Sequence, residues 1–169
     1  MVPRAFISGA IVTLAVATVL TYLAGGFGLM SFDTLSAEAL RPKAVGLGVW
    51  MAIAWVVAAG VGGFVAGLGA QASHRTSGAV HGFVSWALAC VVGGALLAGA
   101  FLIAIPVGLA SVDAVDVFNG VGAHWGFFLS DIGAAIVAIL AGDLAVRRGR
   151  KEREEGAALG GSREEAHPA

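Results

Sequence analysis

Three stretches of this chain, residues 5–32, 44–74 and 76–112, contain no Asp, Glu, Lys or Arg, and a fourth, about 121–146, contains only Asp131 and Asp143. A helix needs roughly 20 apolar residues to cross about 30 Å of hydrocarbon, and each run is long enough. Without water, backbone polar groups must be satisfied inside the structure, which leaves helices or closed barrels. Barrel strands are short and alternating, whereas these runs are continuous. The sequence therefore predicts an all-α integral membrane protein with four transmembrane helices, near 5–28, 44–70, 79–108 and 121–146, in a compact bundle. Pro106 is placed to kink or finish the third. The first run begins at Arg4 and ends near Ala24-Gly25-Gly26, the outline of a signal peptide, but its apolar stretch exceeds the 7–15 residues usual there. It is read as a retained span.

Composition closes other routes. Of 169 residues, 58% are hydrophobic, 26 are glycine and 12% are charged, about half the charge of a soluble domain. Twelve of the 21 charged residues are Arg4 or follow Val146, so the remaining nine could not solvate a water-soluble surface. The net charge of −1 argues against nucleic acid. Cys90 is the single cysteine, which excludes an intrachain disulfide and a cysteine-cluster metal site. There is no Gly-x-Ser-x-Gly elbow, no His-Glu-x-x-His and no phosphate-binding glycine loop. No enzymatic activity, cofactor or metal is expected.

Orientation follows the positive-inside rule. Arg4, Arg75, Arg147, Arg148, Arg150, Lys151 and Arg153 fall on one side, against Arg41 and Lys43 on the other. Both termini are therefore expected in the cytoplasm, with 29–43 and 109–120 outside. Residues 29–43 suggest a short interfacial turn of helix, with Leu35, Ala39 and Leu40 facing lipid, and 147–169 a basic tail that is disordered from Gly156 onward.

Lipid is as apolar as leucine, so helices in a bilayer associate through close packing and interhelical hydrogen bonds. Gly122, Gly126, Ser130, Ala134, Ala138 and Gly142 recur every four residues along the fourth helix, and the second carries Gly63 and Gly67. The ladder is read first as a packing face within the bundle and second as a homo-oligomer seam. The bilayer is the one expected partner besides a second copy, and no protein partner is indicated.

Few residues could carry chemistry. Asp131 is the one carboxylate deep in a span, where it costs roughly 2.5–3.5 kcal/mol and should face protein or water. His124, seven residues earlier, shares its face about 10 Å away. Thr13 and Ser85 are candidate hydrogen-bonding partners for Asp131. His81 opens the third helix with Ser85 one turn on, and a hydrogen bond to the end of the second helix is its simplest role. Asp143 lies one turn before Arg147 and can pair with it. Together Asp131, His124, His81 and Ser85 form the candidate intramembrane polar site.

The run Gly62-Gly63-Phe64-Val65-Ala66-Gly67, followed by His81-Gly82, resembles small bacterial multi-helix membrane proteins with a Gly-Gly-x-x-Ala-Gly and His-Gly hairpin. The resemblance covers roughly residues 60–95. It implies a bacterial inner membrane and a hairpin of close backbone approach, with no activity to carry over. The expected function is a small polytopic protein of structural or accessory type. The alternative is a proton- or cation-handling transporter or channel subunit using Asp131, although the two helix pairs show no inverted repeat.

Overall fold

The computed structural model describes residues 3–27, 37–70, 75–104 and 121–165, and all four segments are helical. They are α1 (Pro3–Gly26), α2 (Ala37–Gly69), α3 (Arg75–Ala104) and α4 (Val121–Glu165). Each contains a stretch long and apolar enough to cross a membrane: Arg4–Gly26, Val45–Gly69, Ser77–Leu97 and Gly126–Ala157.

Two boundaries differ from the sequence reading. The second helix begins earlier than residue 44: the helical turn expected within 29–43 is continuous with α2, which starts at Ala37 and runs through Arg41 and Lys43. The chain after Val146 is not irregular, since α4 continues to Glu165. No proline interrupts that stretch before Pro168, and oppositely charged residues sit four apart, as where Lys151 Nζ lies 3.7 Å from Glu155 Oε1. At 45 residues α4 is about 67 Å long, more than twice the roughly 30 Å thickness of a bilayer's hydrocarbon core. The expected loop 109–120 and Pro106 lie outside the described residues.

The helices form a rhombic bundle. α2 packs most extensively, against α4 and α1; α3 packs on α4; α2 and α3 also meet across the short diagonal. α1 and α4 occupy the long diagonal and share no substantial interface. Sequence neighbours thus do not own the largest contact, which joins α2 to α4.

The interior is built from small residues. Ala24, Ala58, Ala59, Ala66, Ala89, Ala134 and Ala138 are fully buried, and the largest fully buried side chains are Thr13 and Ser85. Large apolar side chains point outward instead, among them Ile11, Tyr22, Ile53, Val91, Leu96, Phe128 and Leu140. A water-soluble core would reverse this arrangement. Small residues let backbones approach, and close approach is what holds helices together when burial from water contributes nothing. Hydroxyls are largely satisfied within their own helix: Thr13, Thr18 and Thr21 each donate to the carbonyl four residues back, and Ser8 to the one three back.

Candidate functional site

At one end of the bundle, where α1 begins and α4 leaves, two α4 carbonyls are clamped between glycines. A Cβ built on Gly63 would lie 2.5 Å from Ala138 O, and one on Gly82 would overlap the same atom. One turn on, a Cβ on Gly67 or on Gly78 would lie 2.5 Å from Gly142 O. Pairs spaced by four on α2 (Gly63, Gly67) and on α3 (Gly78, Gly82) thus grip the pair Ala138 and Gly142 on α4. A second knot joins α1, α2 and α3: a Cβ on Gly9 would lie 2.6 Å from Gly62 O and 2.5 Å from Ser85 Oγ. Only glycine fits these positions.

This basic end also holds Asp143, which is 8% exposed. Arg147 donates to its Oδ2 through Nε at 3.0 Å and Nη2 at 2.9 Å. His81, 2% exposed, sits on α3 beside the knot and donates from Nδ1 to Ser77 O at 2.6 Å. That bond lies within α3, and it fixes the proton on Nδ1 because a carbonyl can only accept. Phe6 of α1 lies 6.5 Å from the imidazole, ring centre to ring centre. Ser85 Oγ is fully buried without a hydrogen-bond partner among the described residues.

The opposite end is looser. Trp50 Nε1 donates to Leu20 O at 2.9 Å and packs edge-on against Phe27, which keeps α1 and α2 together. On α3 and α4 the large side chains Val91, Leu96, Leu97, Phe127 and Phe128 are exposed. A Cβ on Gly94, Gly99 or Gly126 would meet nothing within 4 Å. Between α2 and α4 an open groove of about 420 Å³ is lined by Ala52, Ile53, Val56, Val57, Gly126, Leu129 and Ser130. Ser130 offers it little, since its Oγ turns back to Phe127 O at 2.8 Å.

The helix-four ladder is therefore not one surface in use. Ala134 and Ala138 are 0% exposed and Gly142 is buried, while Gly126 is exposed and Ser130 only half-buried. The side chains of Gly122 and His124 lie outside the described residues.

Between the two ends sits Asp131. Its Oδ1 accepts a hydrogen bond from Trp55 Nε1 at 2.8 Å. Trp55 comes from α2, so the bond ties the two helices with the largest interface. The far edge of its indole reaches toward α3, where a Cβ on Gly93 would lie 4.0 Å from Cζ's neighbouring ring carbon Cη2. The indole that bonds Asp131 thus also borders α3. Neither Ser85 nor Thr13 is its partner: Thr13 donates to Gly9 O, and Ser85 faces Gly9. Asp131 is half-buried rather than enclosed, and so is Cys90. Trp86 packs beside this junction on Ala59, Ala134 and Ala138, with its Nε1 buried and without a partner among the described residues. One residue, about 100° of helix rotation, separates Asp131 from Ser130 and Trp55 from Val56, so junction and groove flank the α2–α4 seam on different sides.

Trp55 is the residue that the sequence reading missed. A signal was present: Trp favours the membrane interfaces, whereas Trp55 lies two residues from the midpoint of Val45–Gly69. An indole N–H at that depth needs an acceptor, and Asp131 is the one acidic side chain deep in a span. Gly9, Gly62 and Gly78 were also missed as packing positions, because Gly and Ala abound and spacing alone does not say which of them meet. Among the described residues no three of His, Cys, Asp and Glu gather into a metal-ligating group. No protein-family model, curated protein or solved structure matches this chain.

Proposed function

We propose that this chain is a multi-pass protein of the bacterial inner membrane, with both termini in the cytoplasm, that serves as a structural or accessory component rather than an enzyme. The observation that carries the membrane reading is the inverted packing, with alanine, glycine, serine and threonine inside and large apolar side chains outside. The orientation rests on Arg4, Arg75, Arg147, Arg148, Arg150 and Lys151, all at the end of the bundle where α4 leaves. The accessory role is supported by how the spans are used: their polar groups bond mostly within a helix or tie one helix to the next.

Labelling single cysteines introduced at Ser36 and Ser162, in intact cells of a Cys90→Ala background, tests orientation. An impermeant reagent should modify the first and spare the second. The reverse pattern would overturn it.

A second reading, proton or cation handling at Asp131, is favoured by one observation: Oδ2 of this half-buried carboxylate has no hydrogen-bond partner among the described residues. Proteoliposomes given a pH step separate the two. The accessory role expects no flux above protein-free vesicles, and a flux that Asp131→Asn abolishes would establish the second reading.

A further inference from the structure

We propose that the face of the bundle around Asp131 is a docking surface for a transmembrane helix of another protein, which brings a lysine or arginine to mid-span depth. The inference rests on the accessory role above and names the chemistry of the partner that such a role requires.

The carboxylate is chemically incomplete. Trp55 Nε1 holds Oδ1 at 2.8 Å, while Oδ2 has no hydrogen-bond partner among the described residues and is not among the enclosed atoms of the bundle. Its residue is half-buried, so the junction reaches the surface of the bundle instead of being sealed within it. An indole donor supports a carboxylate but brings no charge. This chain cannot supply one: Val45–Gly69 and Ser77–Leu97 contain no Lys or Arg, and on α4 the first is Arg147, sixteen residues or about 24 Å along the axis from Asp131. An uncompensated carboxyl at this depth is expensive and marks a functional contact.

Depth and charge select the occupant. Trp55 lies two residues from the midpoint of its span, about 3 Å along the axis, a level that only a membrane-embedded group reaches. A hard metal cation would want about six oxygen ligands, whereas the junction offers one carboxyl beside an indole. A second copy of this chain does not answer the charge at this depth, because the Lys and Arg of its spans are Arg4 and those from Arg147 onward, away from mid-span, and it would set another Asp131 against the first. A foreign helix with one basic residue does. The surrounding surface suits it: Phe127, one turn before Asp131, and Leu97, one turn after Gly93, are apolar and exposed, and Gly94 leaves open space for a close backbone.

The test uses the full chain in phosphatidylcholine vesicles with synthetic helices of about 20 leucines, carrying one central lysine, one lysine near an end, or none. Association is read by energy transfer between labelled chain and labelled peptide. The central-lysine helix should bind about tenfold more tightly than the all-leucine helix, and Asp131→Asn should erase that advantage while Asp131→Glu retains it. Should the Asn variant fail to fold, the wild-type preference for central over terminal lysine still decides the matter, since only depth-matched pairing produces it. Equal binding of all three helices overturns the proposal. So does self-association of the chain that Asp131→Asn removes, which would make a second copy the occupant. Vesicles that conduct no protons yet ignore the central lysine remove this partner and leave the accessory role standing. Vesicles with an Asp131-dependent proton flux remove the role and the proposal together.

Discussion

The two ends of the bundle are made from the same residue types and behave in opposite ways. At the basic end, Gly63, Gly67, Gly78 and Gly82 have no room for a methyl group, because the backbone of Ala138 and Gly142 already occupies it. At the other end, Gly46, Gly48, Gly94, Gly99 and Gly126 face open space. A glycine is thus a packing residue only where an opposing backbone arrives at the same level. The basic end brings three helices together in register, with i,i+4 pairs on each. The open end joins α1 to α2 through Trp50 and leaves the large side chains of α3 and α4 outward. Asp131 sits at the boundary.

The sharpest way to break this contrast is to add one methyl group at each end. Gly82→Ala would drive its Cβ into Ala138 O and set it 3.0 Å from Ala138 C, atoms that cannot move without shifting α4. Overpacking a close-packed site typically costs 1–3 kcal/mol and more where backbone must yield, so we expect a loss of about 3 kcal/mol. Reversible unfolding in detergent, followed by circular dichroism, measures it. A variant within about 0.5 kcal/mol of the parent would show that the clamp relaxes freely.

That asymmetry also shows what the sequence could convey. Four helices and their apolar centres were legible because absence of charge over more than 20 residues has few physical explanations. The i,i+4 pairing of Asp143 with Arg147 was legible because both partners share one helix. The ends of α2 and α4 were not, since Arg41, Lys43 and the Glu-rich tail are polar without being helix-breaking. Nor was the partner of Asp131. Periodicity places a residue on a face of its own helix and says nothing about which neighbour lies opposite, so Ser85 and Thr13 looked as eligible as Trp55. The order of helices around the bundle decided among them.

The boundary between the ends gives the second test. Trp55→Phe keeps the ring and removes the N–H that bonds Asp131 Oδ1. Interhelical hydrogen bonds in membranes contribute about 0.6–2 kcal/mol, and we expect about 1 kcal/mol lost in the same unfolding measurement. Asp131→Asn should cost less, because the amide oxygen can still accept from the indole. If Asn proves the more damaging change, the carboxylate has a charged partner that the Trp55 bond does not explain.

A weaker effect is expected just outside the clamp. Arg147 holds Asp143 through two nitrogens, but its side chain is 54% exposed while that of Asp143 is 11% exposed. Solvent screens the exposed arginine half of such a pair, which limits what the bridge contributes. Arg147→Ala should cost roughly 0.5–1 kcal/mol, with the loss fading as salt is raised. A cost of 3 kcal/mol independent of salt would mean that Asp143 is sealed by the glycine clamp, extending the tight end a further turn.

The smallest expected effect is the most informative about the ladder. Gly126 and Gly142 belong to the same four-residue repeat on α4, and spacing alone assigns them the same duty. A Cβ on Gly142 would overlap Gly78 O and lie 3.3 Å from Gly82 Cα, whereas one on Gly126 would meet nothing within 4 Å. Gly126→Ala therefore creates no clash, and it removes the entropy that a helical glycine loses on ordering. In water that exchange gains about 0.5–1 kcal/mol, and a smaller gain is expected in a bilayer, where the unfolded reference is already helical. Even Gly126→Leu should be tolerated, since the side chain would enter the open groove beside Val57 and Leu129. The sequence alone predicts the opposite, a wedge that separates α4 from its neighbour. If Gly126→Leu destabilises the purified chain, the groove closes in the membrane and the ladder is a single packing surface. If it leaves the isolated chain intact yet lowers capture of the central-lysine helix, the open end is where the partner lies.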